Sequence, residues 1–486
     1  MKVILRVFLF FLAVPLLYVM TACGGGGGGG GGGNGGLGDI VACNSLTNDG
    51  CEEGLSCEYT SSGETGCFES IALRGTVFDL ATTAAIEGAR VVALDANGAV
   101  ASTVTVTDAE GNYELEVSVT RDEEGNPAAG QSVTLRADAA GYQTFPGGVR
   151  QALPVDLTAP VEVDDQLVVD VSLTDIGLIA LEAGAGTASI YGTAELPEDT
   201  YGTMIVAELS ATEGYTAITD IEGYYRIFNL SAGTYAVSGY SQGVTYDQAA
   251  ATLAAGEEAE VNLALSGDAP ATLIGKVNIV NPGDGNATSI ILVVKSTFDD
   301  TLIRGEMPPG LRAPSSGLAP NVTSGGVFTI EGIPPGTYVI LAAFENDFLV
   351  RDPDTCIGGT AILHQAFSSG ATVDLSSNPF KITGSLDVLS PGATGPETVT
   401  TATPAFSWVD DSSEDQYDIT LFDTFGNVIW TKTIAGSSGS TNASVTYDGE
   451  TALESGMYYQ FKAVSINKSG CELSQTEDLM GVFVME

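Results

Sequence analysis

The stretch TDIEGYYRIFNLSAGTYAVSGY, residues 219–240, decides the fold of this chain. It opens with a turn of Asp, Glu and Gly, and Tyr225 and Ile227 then lie two residues apart. A second turn ends at Gly233, and another alternating run follows it. Because successive side chains of a strand point to opposite faces, this alternation predicts antiparallel strands with one buried face. The stretch therefore predicts a β-hairpin.

The same pattern occurs twice more. TDAEGNYELEV begins at Thr107, and TSGGVFTIEGIPPGTYVILAAF begins at Thr323. Each repeat follows a strand-like segment with a glycine set into it; these glycines are Gly75, Gly192 and Gly275. No long stretch shows a 3.6-residue apolar pattern, so helices are not expected. Repeats of this kind predict an all-β chain of tandem β-sandwich domains.

The repeats resemble the carboxypeptidase regulatory-like domain, a small transthyretin-like β-sandwich. The first repeat carries GTV at Gly75, GARVVAL at Gly88 and TDAEGNY at Thr107, and the third keeps PGTY at Pro335. The first repeat departs from the family pattern through an insertion, RDEEGNPAAG, and the third repeat has TSGG in place of the Asp-containing turn. The resemblance covers about residues 70–380. It implies sandwich modules that are mostly non-catalytic appendages of outer-membrane, adhesive or carbohydrate-active proteins.

A fourth region follows the linker SPGATGP, residues 390–396. TPAFSW ends at Trp408, and LESGMYYQFKA begins at Leu453. These motifs resemble a bacterial fibronectin type III-like domain, which implies that Trp408 is a core residue. Trp430 has two interpretations, core packing or an exposed platform for a sugar ring or a protein partner.

The first residues predict export. Lys2 and Arg6 precede an apolar run, residues 7–20, which is shorter than the roughly 20 residues that span a bilayer and suits a secretory signal. The order Met20, Thr21, Ala22, Cys23 resembles a bacterial lipobox, with Met where Leu is usual. The resemblance implies lipid attachment to Cys23. The alternative is ordinary signal-peptide cleavage with an incidental cysteine.

Ten consecutive glycines, residues 24–33, follow Cys23 and predict a flexible tether. Similar glycine runs follow the lipidated cysteine of some surface-displayed lipoproteins, and Gly24 in place of Asp fits the outer-membrane class. We therefore expect a lipid-anchored outer-membrane protein displayed on the cell surface. The alternative is a periplasm-facing accessory lipoprotein of an uptake or secretion machine.

The other six cysteines are an even number, as expected in an oxidising compartment. Four lie within residues 43–67 and predict two disulfides with three possible connectivities; they are Cys43, Cys51, Cys57 and Cys67. The alternative, a zinc site, lacks the close cysteine pairs of zinc modules. Cys356 and Cys471 are predicted to bridge two domains.

The predicted organisation has seven segments. They are a signal peptide (1–22), the lipidated cysteine with its Gly-rich tether (23–42), a disulfide-rich module (43–69), two carboxypeptidase regulatory-like β-sandwiches (70–186 and 187–268), a third β-sandwich with an insertion (269–388) and a fibronectin type III-like domain (389–486).

The composition and the motifs argue against three classes of function, which are nucleic-acid binding, cofactor binding and catalysis. The 62 Asp+Glu outnumber the 17 Lys+Arg, and a net charge of −45 excludes nucleic acid as a partner. The pairs Asp108 with Glu110 and Asp220 with Glu222 suggest calcium, but two carboxylates are too few, so we expect turns and no cofactor. His364 is the one histidine and no catalytic motif accompanies it, so no enzyme is expected.

The expected function is therefore non-catalytic binding or adhesion in the bacterial envelope. We expect the lipid anchor to attach the protein to the membrane. The loops of the sandwiches would then bind a polysaccharide or an envelope protein. The candidate ligand contacts are the aromatic residues Tyr224, Tyr240 and Trp430. Tyr246 belongs with them, and the tyrosines have a second interpretation as cross-strand pairs.

Overall fold

A computed structural model of the chain describes residues 43, 50–52, 54–164, 166–182, 184, 186–197, 202–281, 283, 285–313, 322–323, 326–342, 345, 347–351, 361–411, 413–436 and 441–486. These residues all belong to one compact unit, Leu37–Glu486. The predicted signal peptide, Cys23 and Cys356 lie outside the described residues, as does the predicted tether. Within them the chain forms strands and one short 3-10 helix, Lys295–Thr297, which confirms the all-β prediction.

A disulfide-bonded hairpin comes first. Its strands β1 (Leu55–Tyr59) and β2 (Thr65–Glu69) pair antiparallel. The disulfides join Cys43 to Cys57 and Cys51 to Cys67, which selects one of the three predicted connectivities. Because these sulfurs are oxidised, the thiolates that a zinc site needs are absent from this hairpin.

The first sandwich has two sheets, one built around β3 and one around β4 and β7. Its strands are β3 (Ile71–Asp79), β4 (Arg90–Leu94), β5 (Thr105–Val106), β6 (Asn112–Val117), β7 (Ser132–Asp138), β8 (Val155–Asp156), β9 (Val161–Val163), β10 (Gln166–Val169) and β11 (Ile176–Leu178).

The second sandwich begins at Ala188. Its strands are β12 (Ala188–Thr193), β13 (Met204–Ser210), β14 (Glu213–Ile218), β15 (Tyr224–Leu230), β16 (Gly233–Tyr240), β17 (Ala249–Leu253) and β18 (Glu258–Glu260). The sheet orders are β15-β12-β18 and β14-β13-β16-β17. The two strands predicted at residues 219–240 are β15 and β16, but the predicted hairpin is wrong. The turn between them crosses from one sheet to the other, so β15 pairs with β12 while β16 pairs with β13 and β17.

The third sandwich begins at Ala271. Its strands are β19 (Ala271–Val280), β20 (Ala287–Thr288), β21 (Ile290–Val294), β22 (Arg312–Ala313), β23 (Val322–Thr323), β24 (Val327–Ile333), β25 (Gly336–Ala342), β26 (Leu349–Arg351), β27 (Leu363–Phe367), β28 (Thr372–Asp374) and β29 (Phe380–Gly384). One sheet is built around β19, another has the order β22-β21-β25-β27, and β20 pairs with β23.

The C-terminal sandwich has a three-stranded sheet, β30-β32-β35, and a six-stranded sheet around β36. Its strands are β30 (Val388–Ser390), β31 (Glu397–Val399), β32 (Ala405–Val409), β33 (Gln416–Asp423), β34 (Val428–Ala435), β35 (Asn442–Thr446), β36 (Tyr458–Ile466), β37 (Glu472–Gln475) and β38 (Val482–Met485). Trp408 is fully buried in its core, as predicted.

The first three sandwiches share one topology, which is the structural counterpart of the sequence repeats. The opening strands β3, β12 and β19 pair antiparallel with β6, β15 and β24. On its other side each opening strand pairs parallel with strands from the end of the same repeat. In the facing sheet β4, β13 and β21 pair antiparallel with β7, β16 and β25.

The glycine in each opening strand lies opposite an aromatic ring. Gly192 pairs with Tyr225, and a Cβ on Gly192 would lie 1.9 Å from the carbonyl oxygen of Val261. The Tyr225 hydroxyl donates a hydrogen bond of 2.8 Å to that same oxygen. The first sandwich repeats this arrangement between Gly75 and Tyr113. Glycine is required at these two positions because the backbone of a later segment, at Val261 or Thr174, occupies the space that a side chain would fill.

In the third sandwich Phe328 takes the tyrosine position, opposite Gly275. A Cβ on Gly275 would lie 2.1 Å from the ring carbon Cζ of Phe328. The ring itself therefore covers this glycine. Phenylalanine has no hydroxyl to donate, so the cross-strand pairing of glycine with an aromatic residue is the feature that all three repeats share.

The Asp-x-x-Gly turns are stabilised by their own carboxylates. Asp108 accepts hydrogen bonds from the backbone N–H groups of Glu110 and Asn112, at 3.0 and 2.8 Å. Asp220 accepts the corresponding bonds from Glu222 and Tyr224, at 3.2 and 2.8 Å. The glycines of these turns have φ near +80°, which favours glycine. This is the turn chemistry that the sequence predicts at both places.

Candidate functional site

Buried arginines join the sandwiches to one another. Arg90 of the first sandwich, 7% exposed, donates hydrogen bonds to the carbonyl oxygens of Ile218 and Tyr224 in the second. Its guanidinium also lies over the Tyr224 ring, 5.3 Å from the ring centroid. A rigid, planar donor of this kind can satisfy several acceptors at a buried junction. The second repeat's Asp turn is therefore docked on the first sandwich.

Arg136 joins three sandwiches. Its Nε donates to Asp138 of its own sandwich at 3.0 Å, and one terminal nitrogen donates to Glu306 of the third at 2.7 Å. The other terminal nitrogen donates to the Thr216 hydroxyl of the second at 2.9 Å. Burial lowers the pKa of Arg136, but the two carboxylates outweigh it, so the net pKa is raised. The guanidinium is charged and paired at every physiological pH.

Three further arginines link the first sandwich to the third and C-terminal sandwiches. Arg150 donates to the Phe425 carbonyl oxygen at 2.7 Å, and Arg304 donates to the carbonyl oxygens of Arg150 and Gly148. Arg312 pairs with Asp95 at 2.7 Å. The disulfide hairpin is held in the same way, because Glu58 pairs with the buried Arg121. Among the residues that the structure describes, these six arginines lie at junctions, where they fix the modules relative to one another.

A cavity of about 460 Å³ lies between the second and third sandwiches. Tyr240 and Tyr246 line one side of it, and Pro335 and Gly336 of the repeated PGTY motif line the other. The Tyr246 ring rests on Gly239, where a Cβ would lie 2.6 Å from the ring. Burial raises the pKa of both tyrosine hydroxyls, so they are neutral at physiological pH.

The rest of this cavity is polar and acidic. Glu208, Asp247 and Asp268 line it together with Gln248, and Lys295 is the one basic residue among the described residues that line it. Gln248 and Asp268 are exposed, so their side chains are available to a ligand. Apolar faces with a few polar groups around them are typical of small-ligand sites. The excess of carboxylates favours neutral or cationic ligands over anionic ones.

A second cavity, of about 650 Å³, lies among the first, third and C-terminal sandwiches. Arg136 and Lys462 line it, and each is paired with a carboxylate, Glu306 and Asp478 respectively. The Arg136–Glu306 pair joins the first sandwich to the third, and the Lys462–Asp478 pair lies within the C-terminal sandwich, so neither basic group is left for a ligand. The cavity between the second and third sandwiches is therefore the better candidate for a ligand.

The structure separates the predicted aromatic contacts. Tyr240 lines the cavity but is only 4% exposed, because its ring packs edge-on against Tyr338. Tyr224 lies under Arg90 at a junction instead of facing a ligand. Trp430 is 6% exposed and donates its indole N–H to Asp448 at 2.9 Å. The platform interpretation of Trp430 is therefore wrong, since the ring packs on Phe406 and Tyr447 in the core.

Two other predicted residues have definite positions. Cys471 is disulfide-bonded and 8% exposed, but its predicted partner Cys356 lies outside the described residues. The bridge between the two therefore stays a prediction. His364 is exposed on β27, with its ring edge-on to Phe298 at 6.3 Å.

The sequence did not indicate the junction arginines. The hydrogen bond between Arg150 and Phe425, for example, joins residues 275 positions apart, and no local sequence pattern predicts it. The sequence feature that could have indicated them is the small number of basic residues, 17 Lys+Arg against 62 Asp+Glu, each of which has many possible acidic partners. Among the residues that the structure describes, no helix has the length and apolarity that crossing a bilayer requires.

No protein-family model and no curated protein matches this chain. Among solved structures it is similar to the Bacillus anthracis TIE protein, at 11% identity over 82% of this chain and 68% of that one, with a TM-score of 0.16. A DUF3823 family protein from Parabacteroides merdae is 12% identical over 45% of this chain and 100% of its own, with a TM-score of 0.21. GBS52, the minor pilin of Streptococcus agalactiae, is 12% identical over 42% and 98%, with a TM-score of 0.19. Likenesses this weak carry no argument about function.

Proposed function

We propose that this chain is a lipid-anchored, surface-displayed and non-catalytic protein of the bacterial envelope that binds a neutral polysaccharide. The cavity between the second and third sandwiches carries this proposal. The half-buried Tyr246 ring is available to the C–H groups of a sugar, and the exposed Gln248 and Asp268 offer hydrogen-bond partners to the hydroxyls.

The arginine junctions support a presenting role. A binding site between two modules keeps its shape only if the modules are held together, and Arg90 and Arg136 join the second sandwich to its neighbours. Preorganisation of this kind reduces the entropy lost on binding. The glycine-rich segment after Cys23 then serves as the tether between the lipid and the binding body.

Binding is tested with a glycan array probed by the purified full chain in detergent. We expect neutral glycans to be retained, and the binding affinity to fall about threefold to tenfold in Gln248→Ala and in Asp268→Ala, since each removes a ligand hydrogen bond. Glu222→Gln, an exposed change in a turn of the same sandwich, is the matched control. Retention of acidic glycans only, or equal binding by all variants, contradicts the cavity assignment.

The anchor and its side of the membrane need separate measurements. Metabolic labelling with a radioactive fatty acid is expected to mark the chain, and Cys23→Ser is expected to abolish the label. Protease treatment of intact cells is expected to degrade the chain. Protection of the chain until the outer membrane is broken would instead support the periplasm-facing alternative.

A further inference from the structure

The opening and closing strands of each repeat are neighbours that run in the same direction. In the first sandwich β3 pairs parallel with β10 and with β11, through three register pairs each. In the second, β12 pairs parallel with β18 through three register pairs. In the third, β19 pairs parallel with β28 through three and with β29 through four. The chain therefore enters each sandwich at one end of a parallel ladder and leaves it at the other end.

This arrangement determines how a sandwich responds when its two ends are pulled apart. The chain enters the first sandwich at Ile71 and leaves it at Leu178, which is paired with Asp79 at the far end of β3. The pull therefore acts along the strands and loads the interstrand hydrogen bonds together, in shear. When a hairpin is pulled from its two ends, the bonds open one after another instead. Shear makes rupture slow, because forced unfolding is governed by the unfolding rate, which falls as more bonds must break in one step.

The C-terminal sandwich has the same arrangement, although its sheet orders differ from those of the repeats. Its early strand β31 pairs parallel with β38, the last strand that the structure describes, through three register pairs. Two kinds of sandwich in one chain thus place an early strand and a closing strand side by side. A pull on the ends of any of the four sandwiches loads such a ladder in shear.

The hairpin before the first sandwich is closed by covalent bonds. An isolated two-stranded hairpin is marginally stable, but two disulfides hold this one, and the first of them begins at Cys43. The hairpin ends at Glu69, and β3 begins at Ile71. Tension applied before Cys43 is therefore transmitted through the disulfides to β3, and the hairpin cannot be drawn out to its full length.

We propose that this chain bears tension, with each sandwich loaded in shear and the disulfide-bonded hairpin as the place where the tension enters. The source of the tension is the pull between the membrane anchor and a bound polysaccharide, and this part rests on the proposed function. The mechanical resistance does not rest on it, because resistance follows from the strand order. Of the three repeats, the second has the shortest ladder and is expected to rupture first.

The test is force spectroscopy on single molecules of the full chain, held at its two ends under constant force. Each rupture lengthens the molecule in proportion to the number of residues released. The second sandwich is the smallest of the four, so the size of its step identifies it. We expect separate ruptures, with the second sandwich rupturing before the third, whose ladder has more than twice as many register pairs.

Two proline variants separate the loaded ladder from the rest of the second sandwich, since proline has no N–H to donate. Val261→Pro removes the bond of 2.8 Å to the Tyr191 carbonyl oxygen, which joins the closing segment to β12. Thr219→Pro is the matched control at another buried position, because it removes the bond of 3.0 Å to the Thr203 carbonyl oxygen, outside that ladder. Urea unfolding is expected to show a similar loss of stability in both variants.

Under force the two variants are expected to differ. Val261→Pro should shorten the lifetime of the second sandwich about fivefold, the effect of one hydrogen bond lost from the bonds that break at rupture. Thr219→Pro should shorten it by less than about twofold, because its bond is still intact when the ladder breaks. Circular dichroism checks that each variant is folded.

Three results would overturn the proposal. The first is rupture of the third sandwich before or together with the second in the parent chain, a result that needs no variant. The second is an equal lifetime of the second sandwich under force in Val261→Pro and Thr219→Pro. The third is gradual extension of the parent without separate ruptures, since the bonds would then open one at a time. The expected ruptures together with a negative glycan array would contradict the proposed ligand and still support the bearing of tension.

Discussion

Replacement of Gly192 by Ala tests the packing that defines the repeated sandwich. The new Cβ would lie 1.9 Å from the carbonyl oxygen of Val261 and 2.7 Å from its carbonyl carbon, where ordinary contacts begin at 3.4 Å. Both atoms are backbone, so no side-chain rotation relieves the overlap. The parallel pairing of β12 with β18 must therefore open, and with it the hydrogen bond from Tyr225 to Val261.

The expected cost follows from these two losses. Overpacking of a well-packed site costs about 1–3 kcal/mol, and the rigid backbone places this case near the upper end. Loss of a buried hydrogen bond adds about 1 kcal/mol. A total of about 3–4 kcal/mol raises the unfolded fraction of the second sandwich more than a hundredfold, and it is a large share of the roughly 5–15 kcal/mol that stabilises a domain.

Hydrogen exchange read by mass spectrometry measures this effect locally. Exchange of the β12, β15 and β18 amides is expected to accelerate, while the C-terminal sandwich keeps its rate. Gly267→Ala is the matched control, because it adds the same methyl group with no atom within 4 Å and should change stability by less than about 0.5 kcal/mol. Both glycines have negative φ, so backbone strain does not separate them. Equal exchange in the two variants would refute the packing argument.

Other predictions follow from single contacts. Tyr225→Phe keeps the ring and loses the bond to Val261, so urea unfolding should show a loss of about 1 kcal/mol; an unchanged midpoint would mean that the hydroxyl contributes nothing. Arg121→Ala leaves Glu58 buried without its partner, and we expect a loss of about 3–5 kcal/mol, with recovery in the Arg121→Met, Glu58→Leu double variant; no recovery would contradict the ion-pair explanation. Replacement of Cys51 and Cys67 by Ser should destabilise the hairpin by about 2–4 kcal/mol, seen as faster amide exchange confined to β1 and β2.

Local patterns predicted the secondary structure and the turns. The run that ends at Tyr240 predicted both strands, because alternation needs only the period of a strand, but it did not predict that the two strands join different sheets. The turn at Asp220 followed from the preference of Asp and Gly for tight turns, and the structure shows the carboxylate bonded within four residues of itself. The strand glycines were recognised as a repeat, but their purpose became visible only when Val261 was found against Gly192.

Part of the candidate site was open to prediction. Tyr240 and Tyr246 were named from their chemistry, and the structure places both on one cavity. For Trp430 the sequence allowed two interpretations, since a tryptophan in an alternating strand gives the same sequence pattern whether its ring packs in the core or lies on the surface. Its bond to Asp448 and its aromatic neighbours decided the matter in favour of the core.

The sequence alone determined that this is an all-β repeat chain with a cysteine-rich module and a strongly acidic surface, because composition and period are local properties. Only the tertiary structure decided the disulfide pairing, the cavity and the groups that meet at the junctions. Arg150 and Phe425, or Glu345 and Glu477, are brought together by the packing of whole modules. No short-range pattern encodes that packing, because its free energy depends on surfaces formed after each sandwich has folded.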